Sequence, residues 1–228
     1  MTESHAPRFE LVIFDCDGVL VDSEPLANRV LAECLCELGL PTTADEAWRT
    51  YGGQSWETCF AQIRERLGRP LPRAFEADFA ARLAAVLEAE LRPVPHIHHA
   101  LERIPTQTCV ASNGRRATMQ LTLAKTGLLE RFDGRIFSAA DVVRPKPFPD
   151  LFLHAAQTLG VAPARCAVVE DSPRGAQAGA AAGMAVFGFA PHGEPEKLAA
   201  TGARVFADMR ALPELLGFGA TSSARRGR

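Results

Sequence analysis

The chain has 228 residues, a formal net charge of −2 at pH 7 and 47% hydrophobic residues. This length fits one domain with a large insertion or two modest domains, and the apolar content supports a buried core. The near-neutral charge gives no reason to expect nucleic-acid binding. No apolar run approaches the roughly 20 residues that a membrane-spanning helix needs, so we expect no membrane association. The first residues lack the basic and apolar regions of a secretory signal, which indicates a cytoplasmic protein.

The six cysteines are scattered and form no Cys-x-x-Cys pair. They are therefore expected to be reduced and mostly buried, as in a cytoplasmic protein. Cys34 and Cys36 are separated by one residue, which is the wrong spacing for the usual zinc knuckle. The basic tail over residues 221–228 is expected to be disordered rather than a nucleic-acid-binding arm.

An apolar run over residues 9–14 predicts a buried strand at the start of the chain. Asp15, Asp17 and Gly18 follow this strand directly. Because strand side chains alternate, the two carboxylates point to the same side if the extended geometry persists. Two carboxylates this close repel each other, and a divalent cation would compensate for the repulsion. The alternative is an Asp-rich turn that merely ends the strand.

Residues 25–93 show helical spacing of apolar residues throughout, without a convincing strand. Helices are predicted to begin near Pro25, Ala44, Ser55 and Pro72. Gly39 and the Gly52-Gly53 pair interrupt the pattern, and Pro93-Val94-Pro95 ends it. The sequence therefore predicts a helical cap over residues 25–93, inserted just after the first strand.

Short strands and helices alternate after residue 94. Strands are predicted near residues 106–111, 135–137, 166–169, 184–189 and 204–206, and helices near 97–103, 115–126, 149–159, 173–182 and 209–216. This alternation is typical of βαβ units. We predict an α/β core with a mostly parallel sheet, formed by residues 1–24 and 94–220.

Polar residues follow four of the predicted strands, at the end where open α/β sheets bind ligands. They are Asp15 and Asp17 after the first strand, Ser112, Asn113 and Gly114 after the second, Lys146 after the third, and Glu170 and Asp171 after the fourth. Each group alone has a structural explanation as a turn, a linker or a helix cap. Their joint occurrence at one edge of the sheet favours a phosphoryl-transfer site.

Asp15 is the predicted nucleophile, which attacks phosphorus to form an aspartyl-phosphate. Asp17 is the predicted general acid for the leaving group and the general base for the attacking water. Lys146 is expected to neutralise charge between Asp15 and the phosphate. These roles consist of positioning and electrostatic stabilisation, on which phosphoryl transfer mainly depends.

The phosphate and a metal ion have separate predicted ligands. The phosphate oxygens are assigned to Ser112, Asn113, Gly114 and Lys146. Mg²⁺ prefers oxygen ligands, and those assigned to it are Asp15, the backbone carbonyl of Asp17, Asp171 and, as a further candidate, Glu170. The predicted partner is thus a small phosphorylated metabolite, and the predicted cofactor is Mg²⁺.

These motifs resemble those of the haloacid dehalogenase superfamily, in particular the β-phosphoglucomutase-like group with a helical cap. The matching stretches are D-C-D-G-V-L-V-D-S-E at 15–24, S-N-G at 112–114, R-P-K-P at 144–147 and E-D-S at 170–172, followed by Gly175, Ala180 and Gly183. They occur in the family's order and span nearly the whole chain. The resemblance implies a Rossmann-like three-layer core, a mobile cap, Mg²⁺ and a Lys146–Pro147 bond that is often cis.

The superfamily contains several activities, and two of them do not fit this chain. Dehalogenases lack the second aspartate of the first motif, which is present here as Asp17. Phosphonoacetaldehyde cleavage uses a cap lysine, whereas the three lysines lie outside residues 25–93. A phosphosugar mutase remains an alternative, although Ala27 replaces its cap histidine and residues 50–56 contain no lysine or arginine.

The favoured function is a phosphatase acting on a sugar phosphate or sugar-acid phosphate. The chain is similar in its first two motifs to bacterial sugar-phosphate phosphatases such as 6-phosphogluconate phosphatase. A non-catalytic phosphometabolite-binding protein on the same fold is the second alternative. A monomer or a weak homodimer is expected.

Specificity is assigned to the cap, which closes over the leaving group. The candidate cap residues are Asn28, Arg29, Arg49, Tyr51, Gln54 and Trp56. Arg29 and Arg49 are either ligands for a second anion or ordinary surface arginines. For His96, His98 and His99, a structural or surface role is favoured over metal binding.

Overall fold

The computed structural model describes residues 8–191 and 195–218. The strands are β1 (Leu11–Phe14), β2 (Gln107–Ser112), β3 (Ile136–Ser138), β4 (Cys166–Glu170), β5 (Ala185–Phe189) and β6 (Arg204–Phe206). They form one sheet in the order β3-β2-β1-β4-β5-β6, and every neighbouring pair is parallel. The α/β fold with a mostly parallel sheet, predicted from the alternation of elements, is confirmed.

Strand β1 lies in the middle of the sheet, between β2 and β4. Leu11 pairs with Gln107 on one side and with Cys166 on the other. All four residues of β1 are fully buried, as expected for a central parallel strand covered on both faces. The residues that follow β1 are therefore surrounded by the ends of the neighbouring strands.

Helices cover both faces of the sheet and form the outer layers of a three-layer core. They are α5 (Ile97–Glu102), α6 (Arg116–Lys125), α7 (Asp150–Thr158), α8 (Pro173–Ala181), α9 (Pro195–Ala199) and α10 (Leu212–Leu215). Val12 and Phe14 pack with α5, α6 and α10. Leu11 and Ile13 point the other way and pack with α7, α8 and α9. The alternation along β1 thus produces the two separate hydrophobic layers. Helix α9 was not predicted.

Four helices lie between β1 and β2: α1 (Glu24–Glu37), α2 (Ala44–Tyr51), α3 (Trp56–Leu67) and α4 (Phe75–Glu90). They pack around a hydrophobic cluster of their own, which includes Leu31, Leu35, Ile63 and Phe79. Side-chain caps define two of the helix starts: Thr43 forms a capping box with Glu46 before α2, and Ser55 accepts a hydrogen bond from Thr58 N before α3. We call residues 24–90 the helical insert.

The chain enters and leaves the helical insert through two adjacent segments. Asp22 N donates to Arg92 O at 2.9 Å, and Val94 N donates to Leu20 O at 3.0 Å. Within the insert, the Gly52-Gly53 turn reaches the start of α8. A Cβ added to Gly53 would lie 3.8 Å from Pro173 Cδ. The insert therefore touches the sheet edge that carries the strand ends.

Two backbone features concern residues that the sequence analysis singled out, Lys146 and His96. The Lys146–Pro147 bond is cis, and His96 adopts a left-handed conformation with φ of 66° immediately before α5. Within residues 8–191 and 195–218, no helix combines the length and apolar character needed to cross a membrane. The predicted disordered tail over residues 221–228 lies outside the described residues.

Candidate active site

Lys146 joins the ends of three strands. Its Nζ donates to Asp15 Oδ1, just after β1, and to Glu170 Oε1, at the end of β4, at 2.6 Å. The Lys146 side chain is only 4% exposed. Burial alone would lower the pKa of this ammonium, but the Asp15 and Glu170 carboxylates outweigh that effect and raise it. Lys146 is therefore a permanent cation beside the candidate nucleophile.

The backbone of Lys146 is held by the Asn113 side chain. Asn113 Nδ2 donates to Lys146 O at 3.1 Å, and Lys146 N donates to Asn113 Oδ1 at 3.1 Å. Arg174 Nη2 also donates to Lys146 O, at 3.2 Å. Because both ends of the Asn113 amide are used in this way, the structure gives the side chain a positioning role. The sequence analysis assigned it to phosphate binding.

Glu170 is 1% exposed, and both of its carboxylate oxygens have partners. Oε1 accepts from Lys146, while Oε2 accepts from Ser172 N at 3.1 Å and from Ser172 Oγ at 2.9 Å. A Cβ added to Gly175 would lie 1.8 Å from Glu170 Oε1, so only glycine fits there. Glu170 was predicted as a further metal ligand. Its two oxygens instead bind Lys146 and the start of α8.

Asp17 faces the turn after β2. Ser23 Oγ donates to Asp17 Oδ1 at 2.8 Å. A Cβ added to Gly114 would lie 3.8 Å from Asp17 Oδ2 and 3.7 Å from Ser112 Oγ. The structure thus brings Asp17, Ser112 and Gly114 to one place, as the sequence analysis expected. Burial raises the pKa of Asp17, and the Ser23 hydroxyl and Lys146 partly oppose this rise.

Asp171 lies directly against the turn after β1. A Cβ added to Gly18 would lie 2.1 Å from Asp171 Oδ2, so Gly18 allows the close approach. Burial, followed by the charges of Glu170, Asp15 and Glu24, raises the pKa of Asp171 well above its usual range. Burial likewise raises the pKa of Asp15 to about 7. Both carboxylates are therefore costly to ionise without a further cation.

This excess of buried carboxylates over one ammonium fits a divalent cation. Asp15 and Asp171 offer hard oxygen donors of the kind that Mg²⁺ binds. Among the described residues, no group of three or more His, Cys, Asp or Glu side chains is arranged to hold a metal ion. The predicted ligand set of Asp15, Asp17, Asp171 and Glu170 stays a prediction.

The predicted cap residues have mostly local partners. Arg29 forms an ion pair with Glu90 at 2.7 Å, and Arg49 Nε donates to Asp45 O at 3.2 Å. Asn28 Nδ2 donates to Glu24 O at 2.7 Å.

The other three candidate residues also contact the insert itself. Trp56 is 40% exposed, and its ring packs edge-on against the Phe79 ring, with 4.6 Å between the ring centroids. Gln54 Nε2 donates to Thr50 O at 2.8 Å, and Tyr51 is buried within the insert.

Glu24 was not among the predicted site residues. It begins α1, directly after the Ser23 that binds Asp17. Burial, together with the nearby Asp17 charge, raises the pKa of Glu24 to about 7. The sequence did contain a signal, because Glu24 is the last residue of the first matching motif. The sequence analysis assigned no role in the site to this residue.

The histidines near residue 96 show a structural contact. His98 Nε2 lies 3.1 Å from Thr126 O, at the end of α6. His96 and His99 are exposed. This contact agrees with the structural role favoured for the group.

The fold and the site together define a class of protein: a three-layer α/β chain with a helical insert and with buried carboxylates at the end of the first strand. The chain belongs to the haloacid dehalogenase-like hydrolase family, whose model matches residues 9–183. It is 34% identical to 6-phosphogluconate phosphatase of Escherichia coli over 91% of this chain and 95% of that protein. It is 31% identical to fructose-1-phosphate phosphatase of the same organism over 78% of this chain and 94% of that protein.

A solved structure shares this architecture. It is a hydrolase of the same family from Deinococcus radiodurans, solved with bound phosphate and sodium. Its TM-score is 0.82 at 30% sequence identity, and the match covers 96% of this chain and 100% of that chain.

Proposed function

We propose that the protein is a Mg²⁺-dependent phosphatase that hydrolyses a small phosphorylated metabolite through an aspartyl-phosphate on Asp15. The observation that carries this proposal is the buried Lys146 ammonium, hydrogen-bonded to Asp15 and to Glu170. A lysine fixed in this way supplies positive charge beside the nucleophile without having to reorganise during the reaction. The names of the two curated relatives, both phosphatases of sugar-type substrates, support the same activity.

In the first step, an Asp15 carboxylate oxygen attacks phosphorus. A bond forms between Asp15 and phosphorus, while the bond from phosphorus to the leaving oxygen breaks. Asp17 donates its proton to that leaving oxygen. The raised pKa of Asp17 favours the protonated form that this step requires.

In the second step, water attacks the phosphorus of the aspartyl-phosphate. Asp17, now ionised, accepts a proton from the water, and the bond between Asp15 and phosphorus breaks to release inorganic phosphate. Ser112 Oγ and the backbone N–H groups beside Gly114 hold the phosphate oxygens during both steps. Asn113 and Glu170 keep Lys146 in place throughout.

Mg²⁺, held by Asp15, Asp171 and the backbone carbonyl of Asp17, would supply charge neutralisation for the phosphate. The homologue from Deinococcus radiodurans was solved with bound phosphate and sodium, which supports binding of a phosphate and a cation by this protein. The helical insert, which we propose as a cap over residues 25–93, would exclude water from the leaving-group side. Six free cysteines support a cytoplasmic location.

The test is phosphate release by the purified protein with Mg²⁺, from p-nitrophenyl phosphate and from a panel of sugar phosphates. Asp15→Asn is expected to abolish release, because the amide is a poor nucleophile. Asp133→Asn, at an exposed position, is the matched control and should leave release unchanged. Equal release by the wild type and Asp15→Asn would exclude the proposed mechanism.

The same assay separates a phosphatase from a mutase. The Arg29–Glu90 ion pair and the absence of lysine and arginine from residues 50–56 leave a second phosphate poorly held. β-Glucose 1-phosphate should therefore yield free phosphate rather than glucose 6-phosphate. Faster accumulation of glucose 6-phosphate would favour the mutase.

A further inference from the structure

We propose that Glu24 binds hydroxyl groups of the leaving group, so that the enzyme prefers neutral polyhydroxylated phosphate monoesters to those that also carry a carboxylate. This inference rests on the proposed phosphatase function and specifies its substrate class. It distinguishes between sugar phosphates and sugar-acid phosphates, which the sequence analysis left together.

Glu24 directly follows the residue that contacts the proposed general acid. Ser23, its neighbour, donates to the Asp17 carboxylate that is the proposed acid for the leaving oxygen. In addition to burial, the Glu24 charge contributes to the raised pKa of Asp171 in the core and of Cys59 in α3. Glu24 therefore lies between the strand ends and the helical insert, where the part of the substrate beyond the leaving oxygen must go.

The Glu24 carboxylate retains most of its hydrogen-bonding capacity. Within the described ranges it has one hydrogen-bond partner, Asn28 Nδ2, which is 3.5 Å from Oε2. Asn28 Nδ2 makes its shorter bond, of 2.7 Å, to the Glu24 backbone carbonyl. An ionised carboxylate has about four acceptor positions. Hydroxyl groups of a polyol or sugar can donate to the unused positions, and charge-assisted bonds of this kind are the stronger ones.

A carboxylate on the leaving group would bind less favourably at this position. It has only acceptors at neutral pH, so it could not donate to the Glu24 carboxylate beside it. Lys146 is already bonded to Asp15 and Glu170, and Arg29 is paired with Glu90. Like charges in a partly buried site repel each other more strongly than in water.

The test compares glucitol 6-phosphate with gluconate 6-phosphate, which differ only at carbon 1, where a hydroxymethyl group replaces a carboxylate. Phosphate release gives kcat/KM for each, and p-nitrophenyl phosphate, which has no hydroxyl groups, serves as the reference for every variant. The wild type is expected to favour glucitol 6-phosphate by at least about tenfold.

Glu24→Gln keeps the size and hydrogen-bonding ability of the side chain but removes its charge. It is expected to lower the preference at least about fivefold, mainly through a lower KM for gluconate 6-phosphate. Glu24→Ala removes the acceptors and should lower kcat/KM for glucitol 6-phosphate about tenfold relative to p-nitrophenyl phosphate. Glu33→Gln, at an exposed position on the same helix, should leave the preference unchanged.

Equal or greater kcat/KM for gluconate 6-phosphate in the wild type would overturn the inference, as would an unchanged preference in Glu24→Gln. If p-nitrophenyl phosphate is hydrolysed but neither sugar-derived substrate is, the inference fails while the phosphatase function stands. If the wild type hydrolyses none of the three, the proposed function fails as well.

Discussion

The Glu170 carboxylate accepts a hydrogen bond from the Lys146 ammonium at 2.6 Å, and the two side chains are 1% and 4% exposed. A buried ion pair of this kind is costly to break from one side, by about 3–5 kcal/mol, because the remaining charge is left without compensation. Lys146 also bonds Asp15, so it cannot move towards either partner without loss. Glu170 therefore acts on the nucleophile through Lys146 and is a positioning residue.

We expect Glu170→Gln to reduce kcat by about 10²-fold with a smaller change in KM, because a displaced Lys146 stabilises the developing charge less well, and the loss of one such electrostatic contact typically costs about this much. The amide keeps the shape of the side chain but loses its charge. One of its two acceptor oxygens becomes an NH₂ donor, so the bond from Lys146 or the bonds from Ser172 are lost. The measurement is steady-state kinetics on p-nitrophenyl phosphate, with the melting temperature recorded alongside. Glu130→Gln, an exposed substitution, is the control. An unchanged kcat in a folded Glu170→Gln variant would refute the positioning role.

Gly175→Ala tests the same network from the backbone side. The added methyl group would lie 1.8 Å from Glu170 Oε1, so the carboxylate must move and its bond to Lys146 must weaken. Overpacking of this kind typically costs about 1–3 kcal/mol in the free energy of unfolding, and we expect kcat to fall as well. Thermal denaturation and kinetics measure the two effects. Gln177→Ala, exposed on the same helix, should change neither quantity appreciably.

Ser23→Ala is expected to shift the pH profile of kcat/KM. The Ser23 hydroxyl donates to the ionised Asp17 carboxylate and so opposes the rise in pKa that burial causes. Without this bond the pKa of Asp17 rises further, and the protonated acid needed in the first step persists to higher pH. The alkaline limb of the profile should therefore move upwards. Ser55→Ala, which removes a helix cap in the insert, is a matched control that should lower stability without moving this limb.

Metal binding should reverse the pH dependence of stability. Burial raises the pKa of Asp15 from 3.8 to about 7, so the folded state holds a proton that the unfolded state has lost between these values. The free energy of unfolding of the metal-free protein therefore decreases as pH rises through this range. Mg²⁺ binds the ionised carboxylates, and at a hundred times its dissociation constant it should add about 2.7 kcal/mol.

This prediction is measured by thermal denaturation between pH 5.5 and 7.5, with EDTA and with Mg²⁺. The melting temperature should fall with pH in EDTA and recover with Mg²⁺ at the upper end. Asp15→Asn removes the titrating group and should show a weaker fall and a smaller response to Mg²⁺. A melting temperature that does not respond to Mg²⁺ at pH 7.5 would argue against the proposed ligands.

Local patterns were sufficient for the strands and for most of the helices. Apolar runs such as residues 9–14 and 166–169 identify β1 and β4 because buried parallel strands need apolar side chains on both faces. Helix α9 was missed, since its five residues are too few to show a helical period. The left-handed conformation of His96 had no clear signal, because glycine is the residue usually expected there.

The sequence by itself determined the order of elements and the set of polar strand ends, because side-chain periodicity and turn residues are local properties of the chain. It thereby indicated that Asp15, Asp17, Ser112, Lys146 and Asp171 share one edge of the sheet. Only the tertiary structure decided which partners these groups have. Glu170 and Asn113 hold Lys146, and Arg29 pairs with Glu90. Such contacts join residues far apart in the chain, so they depend on how the layers pack and not on local pattern.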